Sequence, residues 1–168
     1  VGHEVKTFKK GDEVFAFCGF SFGAYAEYKC LPADNKVALK PQNMTFGEAA
    51  AVPVGGITAL RLLKQAGVKA GDNVLIYGAS GSVGTFAVQI AKAFGAHVTA
   101  VCSTANVAMV HSLGADTVID YTREDFTKTE TRFHIILDAV GKTSRSACNH
   151  LLQSGGKYVT VAGSPKSN

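Results

Sequence analysis

Apolar residues recur along this chain with two different periods. From Val1 to about Lys40, short apolar stretches alternate with polar residues and turn formers: Glu13 to Phe17, then Ala24 to Leu31 after a Gly19 to Gly23 turn, then Lys36 to Leu39 before Pro41. That pattern predicts short strands and turns. From Thr45 the period lengthens. Thr45 and Glu48 have the spacing of a capping box ahead of Ala49, Ala50 and Ala51, so a helix is expected to start there. After Pro53, Val54, Gly55 and Gly56, the segment Ile57 to Ala66 carries Leu60, Leu63 and Ala66 on one side and stops at Gly67, which predicts a further helix with a glycine end. Val74, Leu75 and Ile76 form a continuous apolar run, as expected of a parallel strand covered on both faces. Val83, Phe86, Ala87, Ile90, Ala91 and Phe94 then repeat at helical spacing.

The alternation continues to the end. Strands are expected at His97 to Val101, Thr117 to Ile119, Phe133 to Leu137 and Lys157 to Val161, and helices from Ser103 or Thr104 through Leu113 and from Thr143 to Leu152. The order β-α-β-α-β, a loop-rich passage, then β-α-β predicts an α/β fold: a Rossmann-type doubly wound parallel sheet preceded by a small β-rich part. The change of character near Pro41 divides residues 1–40 from residues 41–168. In such sheets a ligand binds at the carboxyl ends of the strands, where Val140, Gly141, Ala162 and Gly163 fall.

The junction from Asn73 to Gly84 reads N-V-L-I-Y-G-A-S-G-S-V-G. A strand runs into a glycine turn and then a helix, whose first N–H groups lack partners and whose dipole is positive there, so the junction suits a dinucleotide pyrophosphate. Against the fingerprint G-x-G-x-x-G, the first position is Ala79, with Gly78 upstream, while Gly81 and Gly84 keep the places tied to cofactor approach and helix–strand packing. Ser82 and Val83 supply the intervening amides. The alternative is an ordinary glycine loop in a nucleotide-free α/β protein.

Composition narrows the remaining classes. With 168 residues, 46% of them hydrophobic and 18% charged, the chain reads as soluble and globular, large enough for one substantial core. No apolar run is expected to reach the length of a membrane span, and Val1 opens into polar sequence, so a cytoplasmic protein without a membrane partner is expected. The net charge of +4 comes from scattered residues, Lys9 and Lys10 being the only adjacent basic pair, which argues against nucleic acid. Cys18, Cys30, Cys102 and Cys148 show no metal-site spacing, and His3 with Glu4 reads as part of a surface turn, so no metal is expected.

Several motifs together resemble the medium-chain dehydrogenase/reductase superfamily, within it the zinc-independent quinone-oxidoreductase branch. They are V-x-x-F-K-K-G-D-E-V at Val5 to Val14, G-A-Y-A-E-Y at Gly23 to Tyr28, E-A-A-A-V-P at Glu48 to Pro53, G-I-T-A-L at Gly56 to Leu60, the glycine turn, S-L-G-A-D at Ser112 to Asp116, and L-D-A-V-G at Leu137 to Gly141. The resemblance implies a partial GroES-like catalytic domain before the Rossmann domain, and hydride transfer from NADPH to a quinone or an α,β-unsaturated carbonyl. It implies that both zinc sites are absent, since the zinc-dependent members' four-cysteine lobe would fall between Val14 and Gly23. It also implies a fragment, starting within the catalytic domain and stopping before the last Rossmann strand. Apolar surface at Phe15, Phe17 and Phe20 would then drive self-association into a homo-oligomer.

Selective binding of NAD places a carboxylate roughly 20 residues beyond the glycine turn. Here Cys102, Ser103, Thr104, Ala105 and Asn106 occupy that region without one, and the hydroxyl and amide groups can donate to a 2′-phosphate. NADPH is therefore the favoured cofactor and NADH the alternative. By resemblance, Tyr121 lies near the 2′-phosphate, Thr58 near the nicotinamide, and Val140 and Gly141 along its ribose, with Ala162 and Gly163 close by. Asp138, at a strand end, is expected to accept backbone hydrogen bonds rather than protons. No catalytic residue is assigned, because hydride transfer of this kind needs orientation and water exclusion more than a protein nucleophile.

Overall fold

The computed structural model describes residues 1–19, 23–34 and 36–161. Phe20, Ala162 and Gly163 lie outside the described residues. By internal contacts the chain forms two units, Val1–Val54 and Gly55–Asn168.

In the first unit, β1 (Val14–Ala16) and β2 (Val37–Leu39) pair antiparallel, with Phe15 opposite Ala38. Bonds from Phe17 N–H to the Lys36 carbonyl (2.9 Å) and from Lys40 N–H to the Glu13 carbonyl (2.8 Å) extend the ladder. The strand expected over Ala24 to Leu31 does not form: no ladder partner faces it among the described residues, and Tyr25 and Tyr28 stand fully in solvent. Alternation alone does not make a strand without a neighbour to bond.

The capping box forms as its spacing predicts. Thr45 N–H donates to Glu48 Oε2 (2.7 Å), and Glu48 N–H donates to Thr45 Oγ1 (3.2 Å). The helix it opens, α1 (Phe46–Ala66), is continuous through Pro53 and Gly55, where two separate segments were expected. The boundary between the two units therefore falls inside this helix rather than near Pro41. At 21 residues and a mean hydropathy of 1.3, α1 is long and apolar enough to cross a membrane, against the expectation that no run reaches that length. Pro53 lies inside the helix and does not break it, which joins the two expected segments into one long apolar run. Its second half is core: Ala59 and Leu63 are wholly buried in the second unit.

The second unit alternates strand and helix: β3 (Asn73–Tyr77), α2 (Ser82–Ala93), β4 (His97–Cys102), α3 (Val107–Ser112), β5 (Thr117–Asp120), β6 (Phe133–Asp138), α4 (Arg145–Cys148) and β7 (Leu152–Thr160). The five strands form one parallel sheet in the order β5-β4-β3-β6-β7. Val74 and Ile76 face one side with Ala59, Leu63, Ala87, Val88 and Ala91. Leu75 faces the other with Val101, Ile119, Ile136, Phe133 and Leu151. Both faces are apolar, which is why these strands read as unbroken hydrophobic runs. Each wholly buried Leu, Ile or Val contributes about 1.5–3 kcal/mol relative to exposure.

Three elements differ from the expected ones. A 3-10 turn (Thr104–Asn106) precedes a short α3, in place of one helix from Ser103 or Thr104 to Leu113. The helix expected over Thr143 to Leu152 is one turn of α4, capped by Ser144 accepting from Ala147 N–H, followed by a 3-10 turn. β7 begins at Leu152 rather than Lys157, because Gly155 and Gly156 lie in an irregularity within the strand. Phe133 pairs with Leu152, and Ile135 already pairs with Lys157. A glycine pair that reads as a turn can equally mark a bulge.

Candidate dinucleotide site

The chain leaves β3 toward β4 and β5 on one side and returns through β6 and β7 on the other, so the order reverses between β3 and β6. A crevice opens at the carboxyl ends of two strands where such a reversal occurs. Gly78 follows β3 and Val140 follows β6, and they are in contact: with its φ of +81°, a Cβ on Gly78 would overlap Val140 Cγ2.

The turn is held from beneath. Gly78 and Ala79 N–H both donate to the Val101 carbonyl of β4 (3.1 and 3.0 Å), and Gly81 N–H donates to the Gly78 carbonyl (3.1 Å). A Cβ on Gly84 would overlap the Gly78 carbonyl oxygen and stand 2.7 Å from Ala79 Cα, so only glycine lets α2 start against the turn. Gly81 is different. Its φ of −82° suits any residue, and an added Cβ would meet only the Gly78 oxygen at an ordinary 3.5 Å. The protein's own packing does not require glycine there, and the space left by the missing side chain opens onto the helix end.

At that end Gly81 provides no side-chain cap. The first helical bond is from Thr85 N–H to the Gly81 carbonyl (2.9 Å), and the amides of Ser82, Val83 and Gly84 have no protein partner among the described residues. Three donors at a positive helix end, beside an unfilled space, fit a pyrophosphate. α1 reaches the same end, since a Cβ on Gly55 would come 2.6 Å from Ser82 Oγ. Gly55 thus marks a helix–helix approach rather than a helix break. Thr58, one turn further along α1, is half-buried, and its hydroxyl has no protein partner among the described residues.

The loop after β6 is pinned by Asp138, whose carboxylate is wholly buried. Its Oδ1 accepts from Val140 and Gly141 N–H (2.9 and 2.7 Å), and its Oδ2 accepts from Tyr158 Oη (2.8 Å) and Thr143 N–H (3.3 Å). Burial first, then the hydrogen bond to Asp138, pushes the Tyr158 hydroxyl well above its ordinary range, so it stays protonated as the donor. Asp138 therefore holds the backbone of Val140 and Gly141 in place, the accepting role expected of a carboxylate at a strand end.

The far corner lies at the ends of β4 and β5. Cys102 is buried, and its carbonyl accepts from Tyr121 N–H (3.1 Å), which places Tyr121 at this corner with its ring half exposed. Burial, with the nearby Asp120 charge, raises the Cys102 thiol above its usual range. Ser103 Oγ accepts from Asn106 Nδ2 (3.0 Å). Thr104 Oγ1 donates to Asp120 Oδ2 (2.5 Å), while Asp120 Oδ1 takes Thr122 Oγ1 and N–H (2.7 and 3.0 Å). These bonds from Thr104 and Thr122 hold the Asp120 carboxyl below the usual range. The expectation of a corner without a carboxylate is thereby corrected. The acid comes from the end of the neighbouring β5, and it consumes the Thr104 proton that was to serve a 2′-phosphate. The sequence signal was D-Y-T itself, directly after a predicted strand. Beside this corner a hollow of about 420 Å³ is lined by Tyr77, Tyr121, Arg123 and Phe126 among others, with Tyr77 stacked on Phe126 at 5.0 Å.

The structure thus gathers Ala79, Gly81, Ser82, Val83 and Gly84 with Val140 and Gly141 at the crevice, and Cys102, Ser103, Thr104 and Tyr121 at the adjoining corner. Asp120 and Arg123 are additions not expected from the sequence, whereas Asp138 takes the accepting role expected of it. Among the described residues no three His, Cys, Asp or Glu side chains stand together, and His3 and Glu4 pair with each other in solvent (2.9 Å).

Residues 82–168 match the family model described as zinc-binding dehydrogenase. The 2-methylene-furan-3-one reductase of Solanum lycopersicum is 40% identical over 172 residues, covering 97% of this chain and 44% of that protein. The quinone oxidoreductase of Coxiella burnetii superposes with a TM-score of 0.85 at 36% identity, over 95% of this chain and 51% of the other. The quinone oxidoreductase of Thermus thermophilus, solved alone and with NADPH, gives 0.67 at 33% identity over 78% and 45%. The chain spans about half the length of the relatives it matches.

Proposed function

The chain belongs to the zinc-binding dehydrogenase family, in the quinone-oxidoreductase-like branch of the medium-chain dehydrogenase/reductase superfamily, and from that premise we propose an NADPH-dependent, zinc-independent oxidoreductase acting on a quinone or an α,β-unsaturated carbonyl. One observation carries the reading: the three unpartnered amides of Ser82, Val83 and Gly84, beside the space left by Gly81, at the reversal between β3 and β6. The similarity to a furanone reductase and to a quinone oxidoreductase solved with NADPH supports the substrate and cofactor classes.

When bound, the nicotinamide supplies the hydride. The residues of the chain bind and orient: the α2 amides hold the pyrophosphate, and Val140 and Gly141, fixed by Asp138, line the nicotinamide ribose. Thr58 offers a free hydroxyl near the nicotinamide, and Tyr121 stands at the adenosine end. Such positioning, with water excluded, is the protein's share of hydride transfer.

Calorimetric titration with NADPH and NADH, followed by assays with a simple quinone and a simple enal, tests the proposal. Binding and turnover without added zinc are expected. Binding without turnover leaves a nucleotide-binding module, and failure to bind either cofactor overturns the reading.

A further inference from the structure

At the ribose corner, Asp120 Oδ2 accepts from Thr104 Oγ1 at 2.5 Å and faces Arg123 Nε at 3.5 Å. The Asp120 side chain is 13% exposed and that of Arg123 is 75% exposed, so the carboxylate is fixed and the guanidinium is the member able to move. This contact involves Nε alone. The four N–H groups of the two terminal nitrogens have no protein partner among the described residues. The hydroxyls around the acid are already committed: Thr104 donates to Oδ2 and Thr122 to Oδ1. A phosphate arriving at the end of β4 would therefore meet a fixed negative charge, with only the neutral Ser103 hydroxyl, which accepts from Asn106, left there as a donor. Glu124 and Asp125 line the adjoining hollow and add the same sign. Arg123 is the nearby group of opposite charge, with its fork of donors open.

We infer that Arg123 is the residue that selects NADPH over NADH, turning its open guanidinium edge to the 2′-phosphate, while Asp120 opposes it and keeps the preference small. This assignment rests on the nicotinamide reading above. The cation is supplied from the loop after β5, eighteen positions beyond Ala105, where the residues after β4 carry none. Planar N–H pairs on a guanidinium match phosphate oxygens two at a time, which a lysine cannot reproduce.

The test is calorimetric titration of the wild type, Arg123→Gln, Arg123→Lys and Asp120→Asn with NADPH and with NADH, each variant first checked by its melting curve. Arg123→Gln removes a charge-assisted contact and is expected to weaken NADPH about tenfold or more, leaving NADH within about twofold. Arg123→Lys is expected to fall between, and Asp120→Asn to tighten NADPH relative to NADH. Equal loss for both cofactors in Arg123→Gln, or no loss for NADPH, overturns the assignment while leaving the oxidoreductase reading intact. Wild-type protein that binds NADH alone also overturns it. Wild-type protein that binds neither overturns the underlying reading, and this assignment with it.

Discussion

Gly84, in the first turn of α2, lies so close to Gly78 that a single methyl group would overlap the Gly78 carbonyl oxygen. Gly84→Ala must therefore push α2 away from β3 or distort the turn. Overpacking against backbone costs roughly 1–3 kcal/mol, and the displaced amides would no longer converge. The expected result is a melting temperature lower by several degrees together with loss of dinucleotide binding. Gly81→Ala provides the contrast, since its Cβ has room and its backbone is compatible. It should melt within a few degrees of wild type yet bind the cofactor weakly. Equal melting losses in both variants would mean that Gly81 serves packing after all.

Asp138 carries a buried charge shared among backbone amides and one phenol. Tyr158→Phe removes the phenol and leaves Oδ2 only the longer bond from Thr143 N–H (3.3 Å). A loss of about 1–3 kcal/mol is expected, because the charged acceptor keeps its desolvation cost without its partner. Asp138→Asn should cost at least as much, since an amide nitrogen placed at either oxygen would face an N–H donor or the phenol. Cofactor affinity should fall in parallel, as Val140 and Gly141 lose their anchor. Chemical denaturation and calorimetry on the two variants check this. Unchanged affinity in a destabilised Asp138→Asn would detach the loop from the site.

The thiols should divide by exposure. Cys102 and Cys148 are buried, and burial raises both above the usual thiol range. Cys30 is exposed. Titration of folded protein with a disulfide reagent should label Cys30 rapidly and leave Cys102 and Cys148 protected until the protein unfolds. Rapid labelling of Cys102 in the folded protein would show that the β4 end opens.

Where one stretch of chain settles its own structure, the sequence was legible. The apolar run Val74 to Ile76, the helical repeat from Val83 to Phe94 and the Thr45–Glu48 box each formed at or near the expected place. The glycine turn between β3 and α2 was legible for the same reason: strand, glycines and helix are consecutive. What stayed hidden depends on partners distant in sequence. Gly55 looked like a break because its reason, the first turn of α2, lies 27 residues on at Ser82. Asp120 stayed hidden because it lies at the end of β5 rather than of β4, and only strand pairing sets β5 beside β4 and joins Asp120 to Thr104 across sixteen positions. Ala24 to Leu31 alternated like a strand but found no ladder.

Asp116 ties three elements together, and its charge should be visible in the pH dependence of stability. Lys92 Nζ of α2 approaches its two oxygens at 2.8 and 2.9 Å, and Val98 N–H of β4 donates to Oδ2 at 2.6 Å. Partial burial works to raise the carboxyl, but the bonds from Lys92 and Val98 outweigh it and leave it below its ordinary range. A carboxyl depressed in the folded state binds its proton more readily when unfolded, so its contribution is present in full above about pH 5 and fades as the pH falls through 4 and below. Side-chain exposures of 32% for Lys92 and 43% for Asp116 reduce the ion pair's share, leaving a contribution of about 1 kcal/mol. Asp116→Asn should therefore melt a few degrees below wild type at pH 7, with the gap closing toward pH 3 as the wild-type carboxylate is protonated. A gap that stays constant from pH 7 to pH 3 would assign the loss to packing or amide geometry and not to the charge.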